Sequence, residues 1–308
     1  MKVVVVSGAT ATGKTDLAVE LAKKFGGEVV NFDSLLLYKE ILIGTAKPTP
    51  EEQKSIKHWM IDVSSISHPL NAADYASMAR PIIEKLLAEN KNVYLVGGSG
   101  FYLQALLKGM YDSPTTPQEI TNRSDELYKN EGIQPFLEVL KAHDEESLNR
   151  YHENDHYRVR RAVEHFWSHG TPLSQVRSQK DQSDEKVHDW DVLHIYLEIP
   201  REEHNKIIER RTTKMLEIGL IEEVNGLLAQ GFSGQEKPLQ SIGYKEVIDY
   251  INGVFKTIEE CKERIIISTR QLAKSQRTWF NRDKSKESYH PLDQRSEIFN
   301  RVESFLKS

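Results

Sequence analysis

The sequence predicts an α/β fold: a parallel sheet core with helices on both faces, into which an all-helical subdomain is inserted. Three observations carry this. Residues 2–6, 28–32 and 93–96 are short β-branched or apolar runs separated by helical stretches, the rhythm of βαβ units. The first run leads straight into Gly8-Ala9-Thr10-Ala11-Thr12-Gly13-Lys14-Thr15, which fits G-x-x-x-x-G-K-[ST] without a mismatch. From about residue 111 to 186 no strand-like run appears, and one returns only at 192–199.

Taken in order, residues 2–6 read as a strand buried on both faces. Leu17, Leu21 and Phe25 recur every four residues, a helix closed by Gly26-Gly27. Residues 28–32 are the next strand. A helical stretch at 72–90 contains Pro81, where a kink or a boundary is expected. The strand at 93–96 ends in Gly97-Gly98. Within the insertion, helices are expected at 125–140 and 155–169. Beyond Pro200 everything reads helical: 202–218, 221–228, 243–251 and 258–280. The expected domains are a P-loop NTPase-like core formed by 1–112 and 187–308, and a helical insertion at 113–186.

The 308 residues give ample chain for a buried core, and the 38% hydrophobic and 28% charged content excludes low-complexity classes. The longest uncharged apolar run, 3–6, cannot span a bilayer, and it stops at Ser7-Gly8, too early for a signal-peptide core. Cys261 is the single cysteine, so an intrachain disulfide and a cysteine metal cage are ruled out, and a cytoplasmic setting is expected. A net charge of −5 gives no hint of nucleic acid. The charge is unevenly spread: residues 261–286 hold eight basic and two acidic side chains, and Arg158, Arg160 and Arg161 form a second basic knot, each read by itself as a solvated face.

Residues 8–15 sit where phosphate binding needs them, directly after a strand and opening a helix. The glycines let backbone N–H groups curl around an anion, and the helix N-terminus adds its positive dipole end. Lys14 can neutralise the outer phosphate and Thr15 can hold Mg²⁺. Asp33, at the carboxyl end of the second strand, points into the crevice where such sheets bind ligands. Its position alone fits a general base or metal ligand, and equally an N-cap for a helix at 34–37. Gly97-Gly98-Ser99-Gly100 falls beside the P-loop, either as a turn or as a backbone surface for an elongated ligand.

With residues 8–15, Asp33-Ser34, Gly44-Thr45-Ala46-Lys47-Pro48 and Gly97-Gly98-Ser99-Gly100-Phe101-Tyr102 in this order, the chain resembles the bacterial tRNA dimethylallyltransferases. Asn154-Asp155, Arg161-Ala162, Met215-Leu216, Gly219-Leu220, Glu223-Val224, Ser241-Ile242-Gly243-Tyr244-Lys245-Glu246 and Thr269-Arg270-Gln271-Leu272-Ala273-Lys274 extend the resemblance over essentially the whole chain. It implies transfer of a five-carbon allylic group from dimethylallyl diphosphate to N6 of adenine 37, beside the anticodon of tRNAs that read codons beginning with U. It implies Asp33 as general base, Thr10 and Arg211 as diphosphate contacts, and Mg²⁺ as cofactor. The tRNA contacts it implies are Asp33, Ser34, Leu35, Leu36, Ser99, Tyr157, Arg158, Val159, Arg160, Arg161, Gln240, Ser241, Ile242, Gly243, Tyr244 and Lys245. Given an RNA substrate, Arg270, Lys274 and Arg277, spaced for one helical face, read as a stripe along its backbone, Arg270 and Lys274 foremost. A monomer is expected.

The chain departs from the family pattern at Ala9, Leu36, Lys39 and Ser275, while Lys14, Thr15 and Asp33 themselves keep it. His58 and Asp62 sit near the family's H-x-x-x-D with no role assigned by the sequence. The rival reading is a P-loop small-molecule or nucleoside kinase with a helical lid, which would consume ATP and ignore tRNA. A nucleotide-gated RNA-binding adaptor would keep every function without Asp33.

Overall fold

A computed structural model of the protein describes residues 1–110, 116–182 and 187–308. The chain divides into two compact units, Met1–Lys108 with His188–Ser308, and Gly109–Val187. The expected boundaries at 112/113 and 186/187 rest on residues 111–115 and 183–186, outside those described.

The first unit runs β1 (Lys2–Gly8), α1 (Lys14–Phe25), β2 (Glu28–Asn31), α2 (Pro50–Gln53), β3 (His58–Trp59), α3 (Ala72–Ala88), β4 (Val93–Gly97) and α4 (Gly100–Lys108). The second unit is α5 (Gln118–Glu131), α6 (Gln134–His143), α7 (Glu145–Arg150), α8 (His156–His169) and α9 (Leu173–Gln182). The first unit then resumes with β5 (Asp191–Leu197), α10 (Arg201–Glu217), α11 (Leu220–Ala229), a 3-10 turn at Lys237–Gln240, α12 (Tyr244–Ile251), α13 (Ile258–Phe280), β6 (Glu287–Tyr289) and α14 (Arg295–Lys307).

The strands form one six-stranded sheet in the order β3-β2-β4-β1-β5-β6, with every pair parallel. Val3 to Val6 are all fully buried because both faces are covered. Val4 and Val6 pack with Leu17 and Leu21 of α1 and Ile298 and Val302 of α14. Val3 and Val5 share the opposite core with Ile83 of α3 and Ile265 of α13. The second unit has its own small core around Phe136, Leu140, Val159 and Val163.

Several expectations need correction. Helix α3 continues through Pro81, so the boundary alternative falls there; Pro81 is exposed, and the carbonyl four residues back can turn to water. The expected helix at 125–140 is two helices, parted at Gly132, which holds φ 73. β6 interrupts the C-terminal part read as wholly helical, and β3 was not foreseen; both are too short to show a period.

What the sheet does for function follows from strand order. Parallel strands end on one edge, so the P-loop after β1, the glycine turn after β4 and Asp33 after β2 stand side by side. With β4 between β2 and β1, the P-loop and Asp33 are about two strand spacings, roughly 10 Å, apart.

Candidate active site

Along that edge lies a cavity of about 390 Å³, built within the first unit. Thr10, Lys14 and Thr15 of the P-loop line it, together with Asp33, Ser34, Leu35, Leu36 and Ser99. Arg211 and Met215 come from α10, Gln240, Ser241, Ile242 and Gly243 from the turn before α12, and Thr269, Leu272 and Gln276 from α13. The structure thus brings thirteen of the predicted site residues to one cavity.

α1 starts at Lys14 with no side chain capping its first amides, which leaves those N–H groups available to an anion. Thr12 and Lys14 both donate to the Ala9 carbonyl, at 2.9 and 2.8 Å, folding the loop onto itself. Gly8, Ala9, Ala11, Thr12 and Gly13 shape the loop rather than line the cavity. Burial holds the Lys14 ammonium down at about pKa 8; the Asp33 carboxylate pulls it up and Arg211 pushes it further down. Arg211 is likewise lowered by burial and raised by Asp33, so these three charges sense one another. Its neighbour Arg210 is exposed.

Asn31 sets the Asp33 turn. Its Oδ1 accepts from the Asp33 amide at 2.8 Å, and its Nδ2 donates to the Asp33 and Met60 carbonyls at 3.0 and 2.9 Å. Asp33 Oδ1 accepts from the Leu35 amide at 3.2 Å, the local turn bond that the capping alternative foresaw, although 34–37 is a turn and not a helix. Asp33 Oδ2 has no donor among the described residues. Ser99 Oγ accepts from the Ser34 amide at 3.1 Å and ties the glycine turn to the same loop.

Those glycines serve close packing. A Cβ at Gly97 would lie 2.8 Å from the Asp33 nitrogen, one at Gly98 would lie 2.6 Å from Gln276 Nε2, and one at Gly100 would enter the Trp279 ring. His58 also lines the cavity. Its Nδ1 donates to the Ile56 carbonyl at 2.9 Å, leaving Nε2 buried without a partner among the described residues, and burial lowers its pKa. Asp62 serves the fold by pairing with Lys47, whose ammonium also donates to the Tyr38 carbonyl at 2.7 Å.

The family model for IPP transferases matches residues 36–283. A tRNA dimethylallyltransferase 2 of Geotalea uraniireducens (strain Rf4) is 39% identical over 283 residues, 92% of this chain and 90% of that protein. This chain belongs to the tRNA dimethylallyltransferase family. The dimethylallyltransferase of Bdellovibrio bacteriovorus (strain ATCC 15356 / DSM 50701 / NCIMB 9529 / HD100) is 39% identical over 307 residues, covering 99% of this chain and 98% of its own. Among solved structures, the full-length tRNA isopentenylpyrophosphate transferase of Bacillus halodurans superposes with a TM-score of 0.72 at 30% identity, covering 99% of this chain and 97% of that one. A eukaryotic dimethylallyltransferase acting on tRNA gives 0.80 at 26% identity, with 98% and 77% covered.

Several dimethylallyltransferase motif residues expected to touch RNA are instead internal braces. Tyr244 is fully buried: its hydroxyl accepts from the Gly44 amide at 3.1 Å and donates to Glu223, which also accepts from the Leu42 and Ile43 amides. Burial first, and Glu223 second, push its pKa well above the ordinary tyrosine value, so the hydroxyl stays a donor. Val159 is buried in the core of the second unit. Arg160 bonds Asp125 at 2.5 Å and Ser124 at 2.9 Å, and Arg161 bonds Thr116 and pairs with Glu164. Arg270 pairs with Glu209, and Arg277 turns to His204 at 2.9 Å, so the expected basic stripe is not three solvated cations. Tyr157, Arg158, Lys245 and Lys274 are exposed.

Tyr244→Phe should therefore cost stability before activity. It strips the Gly44 amide of its acceptor and Glu223 of one donor, about 1–3 kcal/mol. Urea unfolding should report that loss while kcat at low temperature stays near wild type.

Proposed function

We infer that this chain transfers the dimethylallyl group of dimethylallyl diphosphate to N6 of adenine 37 in tRNA. One observation carries the reading: a single cavity sets Lys14 of the P-loop and Arg211 against a carboxylate with an oxygen that has no donor among the described residues, between hydrocarbon walls that include Val96, Ile208, Met215, Ile242 and Leu272. Such walls suit an allylic chain better than a nucleotide.

As the allylic C1–O bond breaks, negative charge grows on the departing diphosphate, where loop amides, Thr10, Lys14 and Arg211 stabilise it. The N6 amine forms the new bond to C1, and its proton passes to Asp33. Among the described residues no cluster of three acids, histidines or cysteines could cage a metal. The oxygen donors that line the cavity, the Thr15 hydroxyl first, are of the kind Mg²⁺ takes, and Thr15 would hold the ion beside the substrate phosphate. When bound, Mg²⁺ supplies further positive charge to the leaving group. Ser34, Leu35, Leu36, Ser99, Gln240, Ser241, Ile242 and Gly243 would receive the unstacked adenine and its neighbours. Tyr157, Arg158, Lys245 and Lys274 would meet the RNA backbone. No helix among the described residues is long and apolar enough to cross a membrane. We place the enzyme with its tRNA in the cytoplasm, acting as a monomer.

The test is a transfer assay with Mg²⁺, labelled dimethylallyl diphosphate and an anticodon stem-loop carrying A36-A37-A38, beside one with guanine at 37. Label on the first RNA alone is expected. ATP consumption with neither RNA labelled would favour the kinase and overturn this reading.

Lys14 adds a pH signature. With its pKa near 8 in the free enzyme, the ammonium is intact below pH 8 and lost above it. A bound diphosphate draws the proton back, so pyrophosphate binding should take up a proton above pH 8. Affinity should fall there by up to about tenfold per pH unit. Calorimetry in two buffers of different ionisation enthalpy reads the uptake, and Lys14→Arg should abolish it.

A further inference from the structure

Thr10 is held from both sides by groups far away in the chain. Its N–H donates to Gln276 Oε1 at 2.8 Å, and Gln276 Nε2 donates onward to the Gly98 carbonyl at 3.0 Å. Its carbonyl accepts from His204 Nε2 at 2.7 Å. His204 Nδ1 lies 2.9 Å from Arg277 Nη1, and a guanidinium only donates. The ring must therefore be neutral, with its proton on Nε2 and a lone pair on Nδ1.

The surroundings agree. His204 is 1% exposed, and of the charges acting on it Arg277 and Lys14 oppose protonation while Glu203 favours it. The next residue, Ala11, holds φ 63, a left-handed backbone that a residue with a side chain keeps only where its neighbours impose it. The peptide between Thr10 and Ala11 is the one whose carbonyl His204 holds. Beneath these bonds the loop rests on small apolar contacts, Ala9 and Ala11 against Ile208, Ile266 and Ala273, which fix distance but no peptide orientation.

We propose that Gln276, His204 and Arg277 are positioning residues that clamp the Thr10 segment of the P-loop in its diphosphate-binding shape. None of them needs to touch the substrate. α10 and α13 pre-set the orientation of both peptides flanking Thr10, so the loop is not ordered at the expense of binding. The proposal rests on the diphosphate reading of the cavity.

The test uses the full chain and two readouts: inorganic pyrophosphate affinity by calorimetry, and KM for dimethylallyl diphosphate against KM for an anticodon stem-loop. Gln276→Leu and His204→Leu should each weaken pyrophosphate about tenfold and raise the diphosphate KM in parallel, with the RNA KM unchanged. His204→Gln, whose amide can donate to Thr10 and accept from Arg277, should recover most of the loss. Arg277→Met, which keeps the ring but frees its tautomer, should fall between.

Unchanged pyrophosphate affinity in both Leu variants overturns the clamp. Tighter binding overturns it too, since Gln276 would then be a plug on an anion-binding amide. Equal losses for pyrophosphate and RNA, tracking a lowered Tm without rescue by His204→Gln, would reduce the set to general packing. A wild-type chain that binds no pyrophosphate would remove the diphosphate reading itself, and the clamp with it.

Discussion

Asp33→Asn is expected to lower the single-turnover transfer rate by about 10³-fold while leaving stem-loop affinity unchanged. The substitution isolates the chemistry. Asparagine keeps Oδ1, so the 3.2 Å bond from the Leu35 amide survives, and the Asp33 amide stays on Asn31. What is lost is Oδ2, the oxygen without a donor, replaced by an NH₂ that cannot take the proton from N6. The charge is lost too. Asp33 raises the pKa of both Lys14 and Arg211, so its removal lets the Lys14 pKa fall below its present value near 8. The rate should therefore be measured near pH 6.5 with saturating diphosphate, where Lys14 remains charged. A rate within tenfold of wild type under those conditions would reduce Asp33 to the cap of its own turn and move the base elsewhere.

How far the site was legible depends on the range of the interaction that builds it. The P-loop is local: eight consecutive residues, a strand before and a helix after. Asp33 was legible as a position because a strand end points its side chain into the crevice, while its role came from the resemblance. Its lock, Asn31, two residues away, carries no signal separable from an ordinary strand residue. Gln276 and His204 were not legible at all, because the partner of each, Thr10, is 266 and 194 residues away, and only the packing of α10 and α13 on the loop brings them together.

Motif blocks were informative in a different way. They mark residues a family needs, without saying whether the need is for substrate or for a neighbour. Tyr244 and Lys47 turned out to hold the loop at 41–48, through Glu223 and Asp62. The basic knot splits by exposure: all three arginines pair with acids of their own unit, but Arg158 beside Asp155 stays exposed whereas Arg160 and Arg161 are half-buried. Charge counted along a sequence cannot see such pairing. The fold was lost where elements are too short for a period, as at β3 and β6, where solvent forgives a broken rule, as at Pro81, and where one glycine parts a helical run, as at Gly132.

Gly97→Ala is the second large effect, and it tests the geometry of the edge rather than any functional group. Gly97 lies outside the left-handed region, so alanine there meets no backbone penalty. The obstacle is space. A Cβ would stand 2.7 Å from the Phe32 carbonyl carbon and 2.8 Å from the Asp33 nitrogen, and neither backbone atom can rotate away as a side chain could. The strand end carrying Asp33 must move while the P-loop, on the far side of β4, stays. A displacement approaching 1 Å between base and leaving-group site costs about a hundredfold in kcat. Overpacking should also remove about 1–3 kcal/mol of stability. Pyrophosphate affinity should hold, because the loop and Arg211 lie beyond the disturbance. Gly98→Ala, one residue on, should do the opposite. Its Cβ would press on Gln276 Nε2 at 2.6 Å, a side-chain tip that can yield, so kcat at saturation should survive while diphosphate binding weakens with the release of Thr10. If both variants lost kcat and affinity in the same proportion, the edge would act as one rigid body, and the separation of base and diphosphate sites by the β4 glycines would be wrong.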